Sequence, residues 1–149
     1  MILYLDASGL VKKYVKEADS KEVVDLCESG ELLAMSVVGY AEVMAALARR
    51  LREGGMPQDT YLATVAKFKD DWRRYVDAWG VTDRVNDIVE RLVVRYPLRG
   101  FDAIHLATAI AGREDSLEEI LFVCADLRLA AAAQQEGLRV FPERAPHEQ

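Results

Sequence analysis

Four carboxylates occupy positions in this sequence where a charged group needs an explanation. Asp6 directly follows the apolar run ILYL, and Asp126 follows LFVCA in the same way. Asp102 lies at the start of the apolar segment FDAIHLATA, and Glu42 is the single charged residue of SVVGYAEVMAALA. Each aspartate could cap a helix, since aspartate is a preferred N-cap residue. Glu42 has no oppositely charged residue three or four positions away, so it must reach water or bind a cation.

Taken together, the four acids predict a site for a divalent metal ion. Clustered carboxylates repel one another unless a cation neutralises them, and a set of oxygen ligands selects Mg²⁺ or Mn²⁺ over zinc. Such an ion can polarise a phosphodiester, lower the pKa of a bound water and stabilise the leaving oxygen. Such a site can therefore support phosphodiester hydrolysis, which requires no nucleophile from a side chain.

The elements that would gather these acids alternate between strand and helix. The predicted strands are ILYL, LLAMS, a weaker one near VDAWGV, LFVCA and LRVF. The predicted helices are ASGLVKKYVKE, residues 20–29, residues 37–53 and 58–75 on either side of the breaker EGGMP, VNDIVERLVVRY, FDAIHLATAIA, and one that ends at Gly137.

This alternation predicts an α/β fold, a three-layer α/β/α sandwich around a central parallel sheet. Ligands of such sheets bind beyond the carboxyl ends of the strands. Asp6 and Asp126 fall at two of these ends. The fold thus predicts that the acids meet at one edge of the sheet.

Length and composition indicate one domain. The chain has 149 residues, of which 51% are hydrophobic, and we expect a domain over residues 1–141 with a flexible polar tail over 142–149. No apolar stretch is long enough to span a membrane, and Asp6 comes too early for a signal peptide. We therefore expect a cytoplasmic protein without membrane contact. Its net charge of −6 argues against nucleic-acid binding by bulk electrostatics.

Several segments of the chain resemble the successive motifs of PIN-domain ribonucleases, and more narrowly of VapC-type toxins from toxin and antitoxin pairs. These segments are ILYLDASGLVKKYVKE, YAEV, FDAIHLATA and FVCADLRLAAAA. The similarity runs from Met1 to about Phe141. It implies a parallel sheet of five strands, homodimers, inhibition by a cognate antitoxin protein, and Mg²⁺- or Mn²⁺-dependent endonucleolytic cleavage of RNA.

The resemblance also implies roles for individual residues. The metal-binding acids of the family correspond to Asp6, Glu42, Asp102 and Asp126. The hydroxyl that accompanies the first acid corresponds to Ser8, which would orient Asp6 or touch a metal-bound water. The family often has threonine or serine two residues before the last acid. Here that position is a cysteine, residue 124, so a hydroxyl contact is not expected there.

For several other side chains, a structural role is favoured over a functional one. His105 is expected to be hydrogen-bonded within the fold, and Cys27 and Cys124 to be reduced and structural. Core packing is the favoured explanation for an apolar stripe at helical spacing, with an antitoxin groove or dimer face as the alternative; the stripe consists of Tyr61, Val65, Phe68, Trp72 and Tyr75.

A basic segment lies in the middle of the chain. Its arginines are expected to form a solvated helical face, the alternative being a path that guides RNA to the acids; they are Arg49, Arg50, Arg52, Arg73 and Arg74. Under the second interpretation, arginine-to-glutamine changes would weaken RNA binding and reduce its salt dependence.

Two other functions stay compatible with the sequence. A binding or regulatory module could keep the fold without turnover, and a DNA nuclease would use the same carboxylates, because no residue that reads the 2′-hydroxyl is identifiable. Aspartyl-nucleophile phosphatases and dehalogenases are disfavoured because Ser8 stands where they carry a second aspartate. Receiver domains are disfavoured because the first strand is not followed by an acid pair.

Overall fold

The computed structural model describes residues 1–143, which form five strands and seven helices. The strands are β1 (Ile2–Leu5), β2 (Leu32–Ser36), β3 (Val76–Trp79), β4 (Ile120–Val123) and β5 (Arg139–Phe141). The helices are α1 (Ala7–Val11), α2 (Ser20–Cys27), α3 (Gly39–Arg52), α4 (Gln58–Arg74), α5 (Asp83–Arg95), α6 (Gly100–Ser116) and α7 (Leu127–Gln135). From residue 144 onward, the predicted tail lies outside the described part of the chain.

The strands form one parallel sheet in the order β3-β2-β1-β4-β5. The chain builds outward from β1 through β2 to β3, then returns to the other side of β1 to add β4 and β5. The reversal makes the gap between β1 and β4 the switch point of the sheet, where α/β proteins bind ligands. Asp6 and Asp126 follow these two strands.

Side-chain alternation along the central strands divides the core into two layers. In β1, Ile2 and Tyr4 pack with α5, α6 and α7, whereas Leu3 and Leu5 pack with the helices from α1 to α4. β4 alternates in the same way, and all of its residues are buried. This two-sided burial confirms the predicted three-layer α/β/α sandwich with five parallel strands.

The first helix is shorter than predicted. It ends at Val11 instead of continuing through the lysine-rich segment to residue 17. The carbonyl of Val11 accepts from the N–H groups of both Tyr14 and Val15, at 2.9 Å each, which tightens the chain into a turn. Lys12 donates to the carbonyl of Ala18 across this turn. Tertiary packing here overrides the local helical pattern.

Two further predictions are resolved by the fold. Four members of the apolar stripe lie on α4 and pack against the core layer that α1 to α4 cover, as the core interpretation expected. They are Tyr61, Val65, Phe68 and Trp72. Tyr75 does not pack there, because it lies just beyond α4 and is 56% exposed. Within residues 1–143, no helix combines the length and apolarity needed to cross a bilayer.

Candidate active site

Asp6 occupies the first residue after β1, where its carboxylate also caps α1. One oxygen accepts the Gly9 N–H at 2.7 Å. The Ser8 hydroxyl lies 2.8 Å from either carboxylate oxygen and accepts the Ala125 N–H at 3.0 Å, which ties this corner to the end of β4. The capping interpretation of Asp6 is therefore right. Ser8 takes the orienting position that the resemblance implied for it.

Gly9 allows α1 to approach β4 at this corner. A Cβ atom built on Gly9 would lie 2.4 Å from the carbonyl oxygen of Val123, a distance that real Cβ atoms essentially never show. Since the obstructing atom belongs to the backbone, a side-chain rotation cannot relieve the clash. The glycine thus fixes the distance between the Asp6 turn and the strand that leads to Asp126, a requirement that the sequence reasoning missed.

Burial changes the acid–base properties of the Asp6 corner. Asp6 is 4% exposed, and its desolvation raises the pKa of the carboxyl, against the opposing effect of its hydrogen bonds. The Cys124 Sγ atom lies 3.5 Å from Asp6 Oδ2. Burial also raises the pKa of this thiol, so Cys124 stays protonated and can donate weakly. The Cys124 thiol therefore contacts Asp6 from the position where the family often has a hydroxyl.

Asp102 and Asp126 line one cavity of about 410 Å³ at the edge of the sheet. Asp126 caps α7 by accepting the Leu129 N–H at 2.9 Å. Asp102 caps nothing, because α6 already begins at Gly100 and places it in the first turn, so the capping alternative for this residue is wrong. Burial raises the pKa of the Asp102 carboxyl, and the nearby charges of Asp126 and Glu42 raise it further.

Glu42 has a partner from another helix. The His105 Nε2 atom lies 2.6 Å from Glu42 Oε1, and the other ring nitrogen, Nδ1, lies 2.9 Å from the Tyr4 hydroxyl. That hydroxyl accepts the Ser36 N–H at 3.0 Å. A continuous chain of polar contacts thus connects the sheet core to the Glu42 carboxylate, which is 28% exposed. The structural interpretation of His105 is confirmed, and its position fixes that of Glu42.

Tyr4→Phe should destabilise the protein by about 2 kcal/mol, since a buried donor and a buried ring nitrogen lose their partner. The phenyl ring can keep the stacking on Phe122, where the ring centroids lie 5.5 Å apart. Urea unfolding would measure the change. Tyr40→Phe is the matched control, because the Tyr40 hydroxyl makes no hydrogen bond within residues 1–143. Equal stability of the two variants would contradict the proposed polar chain.

The structure brings Asp102, Asp126 and Glu42 close enough for their charges to interact, whereas Asp6 and Glu42 are not among the residues that line the cavity of Asp102 and Asp126. Among residues 1–143, no three His, Cys, Asp or Glu side chains stand close enough together to form a complete metal site. The charges of Asp126 and Glu42 nevertheless act on Asp102. Carboxylate oxygens that repel one another at a sheet edge match the ligand preferences of Mg²⁺ and Mn²⁺. The chemistry of the donors therefore fits such an ion.

The basic segment in the middle of the chain does not line the acidic cavity. Arg49 pairs with Glu53 at 3.0 Å, and Arg50 pairs with Glu17. Arg73 and Arg74 both lie near Asp70 on their own helix. These contacts favour the solvated-face interpretation over an RNA path.

Arg99 and Arg128 line the cavity beside the acids instead. The sequence reasoning missed both, although each lies within three residues of an acid: Arg99 precedes Asp102 by three positions and Arg128 follows Asp126 by two. This proximity is the signal that could have identified them. The basic side chains nearest the acids thus come from the ends of α6 and α7 rather than from α3 and α4.

Comparison with known proteins gives matches along most of the chain. The sequence pattern of the PIN domain matches residues 3–134. Ribonuclease VapC45 of Mycobacterium tuberculosis is 31% identical over 143 residues, which cover 95% of this chain and 95% of that protein.

Solved structures share the fold at lower identity. PAE2754 from Pyrobaculum aerophilum superposes with a TM-score of 0.66 at 20% identity, covering 94% of this chain and 83% of that one. VapBC2 from Rickettsia felis, crystallised with a DNA fragment from their promoter, gives a TM-score of 0.63 at 13% identity. The match to VapBC2 covers 94% of this chain and 97% of that chain.

Proposed function

The chain belongs to the PIN-domain family, among the VapC ribonucleases, and from that membership we propose a Mg²⁺- or Mn²⁺-dependent endoribonuclease that acts as the toxin of a toxin–antitoxin pair. One observation carries the proposal of the site. The Asp102 carboxyl shares a cavity with Asp126, and its pKa is raised first by burial and further by the charges of Asp126 and Glu42. A divalent cation would relieve this repulsion.

The proposed ligands of the principal ion are Asp6, Asp102 and Asp126, directly or through water. Glu42 would orient a water or hold a second ion. When bound, the cation would polarise the phosphodiester and lower the pKa of the attacking water. Ser8 and the Gly9 N–H hold the Asp6 carboxylate in place before any ligand arrives. This preorganisation reduces the rearrangement needed during the reaction.

Three of the proposed ligands differ in how firmly the fold holds them. Asp6 is buried and held by Ser8, Gly9 and Cys124, whereas Asp126 is exposed and held by its cap to α7. Asp102 lies in the first turn of a helix that does not need its side chain as a cap. In the proposed site, Asp6 is therefore the firmly held ligand and Asp102 is the ligand whose side chain can adjust.

The proposed macromolecular partners are an RNA substrate, a cognate antitoxin and a second copy of the chain. The Rickettsia felis relative was crystallised as VapBC2, which supports an antitoxin partner. Exposed apolar side chains such as Leu62 (57%) and Val94 (87%) provide surface for such contacts. An RNA substrate also makes the cytoplasm the proposed location.

The test is cleavage of a labelled, structured RNA pool with Mg²⁺, Mn²⁺ or EDTA, beside single-stranded DNA of matched sequence. We expect RNA fragments with either metal, none with EDTA, and intact DNA. The metal should also raise the melting temperature of the protein by mass action. Cleavage of DNA alone would favour the DNA-nuclease alternative. A folded protein that binds metal without cutting RNA or DNA would contradict the nuclease proposal and favour the binding module.

A further inference from the structure

Two arginines beside the acids, Arg99 and Arg128, make no ion pair or hydrogen bond within residues 1–143. Of the twelve arginines in residues 1–143, nine contact a carboxylate or a backbone carbonyl. The other three are Arg52, Arg99 and Arg128, for which that part of the chain offers no ion pair or hydrogen bond. Two of these three line the cavity with Asp102 and Asp126. Direct contacts within residues 1–143 therefore account for nine of the arginines, but not for Arg52, Arg99 and Arg128.

The cavity combines guanidinium and carboxylate groups that make no direct ion pair with one another, although the charge of Arg99 acts on Asp102. Arg99 and Arg128 form no ion pair with Asp102 or Asp126, although all four residues line it. A ligand that satisfies both must carry an anion for the guanidinium groups and accept a cation held by the carboxylates. A phosphodiester chain does this, since one phosphate can share the cation while neighbouring phosphates contact arginine.

The remaining wall of the cavity is apolar. Pro97, Leu98 and Leu127 line it, and Leu127 is 62% exposed although it directly follows Asp126. An exposed leucine beside phosphate-binding groups suits an unstacked base or ribose face. Bases are available in this way in single-stranded RNA, whereas duplex RNA presents its backbone and shallow groove.

We infer that Arg99 and Arg128 bind phosphates next to the scissile phosphate in single-stranded RNA, an inference that rests on the proposed function. Arg99 directly precedes α6 and Arg128 lies in the first turn of α7, so a strand that contacts both would pass the two aspartates that line the same cavity. Phosphate contacts of this kind fix the position of the strand without reading its sequence.

Binding is measured separately from cleavage by working in the Asp102→Asn background with Mg²⁺. The probe is a short fluorescein-labelled single-stranded RNA of mixed sequence, followed by anisotropy. We expect Arg99→Gln and Arg128→Gln each to raise Kd about tenfold, as for loss of one charged hydrogen bond. Each should also reduce the salt slope by about 0.7, the value for one phosphate contact on a single strand.

Arg52→Gln is the matched control, because it removes the same charge from an exposed arginine that has no partner in residues 1–143 and does not line the cavity. Its Kd should stay within about twofold of the background. Equal weakening by Arg52→Gln would show a bulk charge effect and overturn the inference. Unchanged binding by both cavity variants would also overturn it.

The same RNA annealed to its complement tests the preference for a single strand. Weaker binding of the duplex is expected, and equal binding would overturn the single-strand assignment. Cleavage by the wild type is scored separately. If binding depends on the arginines but the wild type does not cleave RNA, the endoribonuclease proposal is refuted and the RNA-binding site stands. If the wild type cleaves RNA but binding does not depend on the arginines, the endoribonuclease proposal stands and the RNA-binding site is refuted.

Discussion

Asp102→Asn should abolish RNA cleavage while leaving a folded and slightly more stable protein. We expect the cleavage rate to fall by about 10³-fold or more, equivalent to about 4 kcal/mol of lost transition-state stabilisation. Asparagine has nearly the same shape, and Asp102 caps no helix, so the fold does not depend on its charge. Cleavage of the labelled RNA pool with Mg²⁺ measures this loss.

The stability gain in the same variant follows from the raised pKa of Asp102. A carboxyl whose folded pKa lies above its unfolded value favours folding while protonated, and that contribution is lost as the pH rises through the folded pKa. Asparagine resembles the protonated form at every pH. In EDTA at neutral pH we therefore expect its melting temperature to exceed that of the wild type by about 1–3 °C.

This difference should disappear below the ordinary pKa of an aspartyl group, about 3.9, where both folded and unfolded wild type are protonated. Adding Mg²⁺ should stabilise the wild type more than the variant. Asp87→Asn is the control, since Asp87 is exposed on α5 and has no charged partner in residues 1–143. A variant that melts below the wild type in EDTA at neutral pH would refute the repulsion argument.

Asp71→Ala should be among the most damaging single changes to the fold. Asp71 lies on α4 with a side chain only 2% exposed, and accepts from Lys13 at 2.9 Å, Lys67 at 2.8 Å and the Tyr14 hydroxyl at 2.8 Å. Removing the Asp71 carboxylate should cost about 3 kcal/mol, because Lys13, whose side chain is 15% exposed, would keep a largely buried charge without its partner. Lys67 is 59% exposed and can be solvated instead. For a domain of this size the melting temperature should fall by about 6–12 °C.

Asp70 provides the matched control for Asp71. It is the preceding residue on the same helix, but its side chain is 38% exposed and its partners, Arg73 and Arg74, are on the surface. Asp70→Ala should therefore change the free energy of unfolding by less than about 1 kcal/mol. Comparable melting temperatures for the two variants would show that the buried network adds little to stability.

The pH dependence of the Asp71 effect has the opposite sign to that of Asp102. Burial opposes ionisation of Asp71, but hydrogen bonds from Lys67, Lys13 and Tyr14 outweigh it and lower the pKa of the carboxyl. A lowered pKa gives stability that is present above the unfolded value and is lost as the pH falls through the folded value. The gap between wild type and Asp71→Ala should therefore narrow in acid.

The sequence predicted those parts of the fold that depend on periodicity. Alternation of apolar runs with helical segments was enough to predict a parallel sheet and its layers, and the strand-end rule placed Asp6 and Asp126 at one edge. The early end of α1 was not predictable, because a tertiary turn at Val11 replaces a helical pattern that continues in the sequence. Local helix propensity carries no information about the tertiary contacts that end the helix.

The contacts around the acids depended on partners distant in sequence. Glu42 and His105 are 63 residues apart, and the thiol of Cys124 reaches Asp6 across 118 residues. Neither separation follows from spacing within one element. The sequence places Arg99 and Arg128 within three residues of Asp102 and Asp126, but it does not show that they make no direct ion pair with these acids.

Mutation of Asp6 and mutation of Asp102 should have different consequences for the folded protein. Asp6 caps α1 and holds the corner between β1 and β4, whereas Asp102 caps nothing. Under the proposed toxin function, selection for cells that survive without an antitoxin would therefore favour mutation of Asp102, which should give an inactive but folded protein. Mutations at Asp6 would also remove the N-cap of α1, at a cost of about 1 kcal/mol of stability. Silenced copies of such a gene should thus carry their first lesion at the acid that the fold does not need.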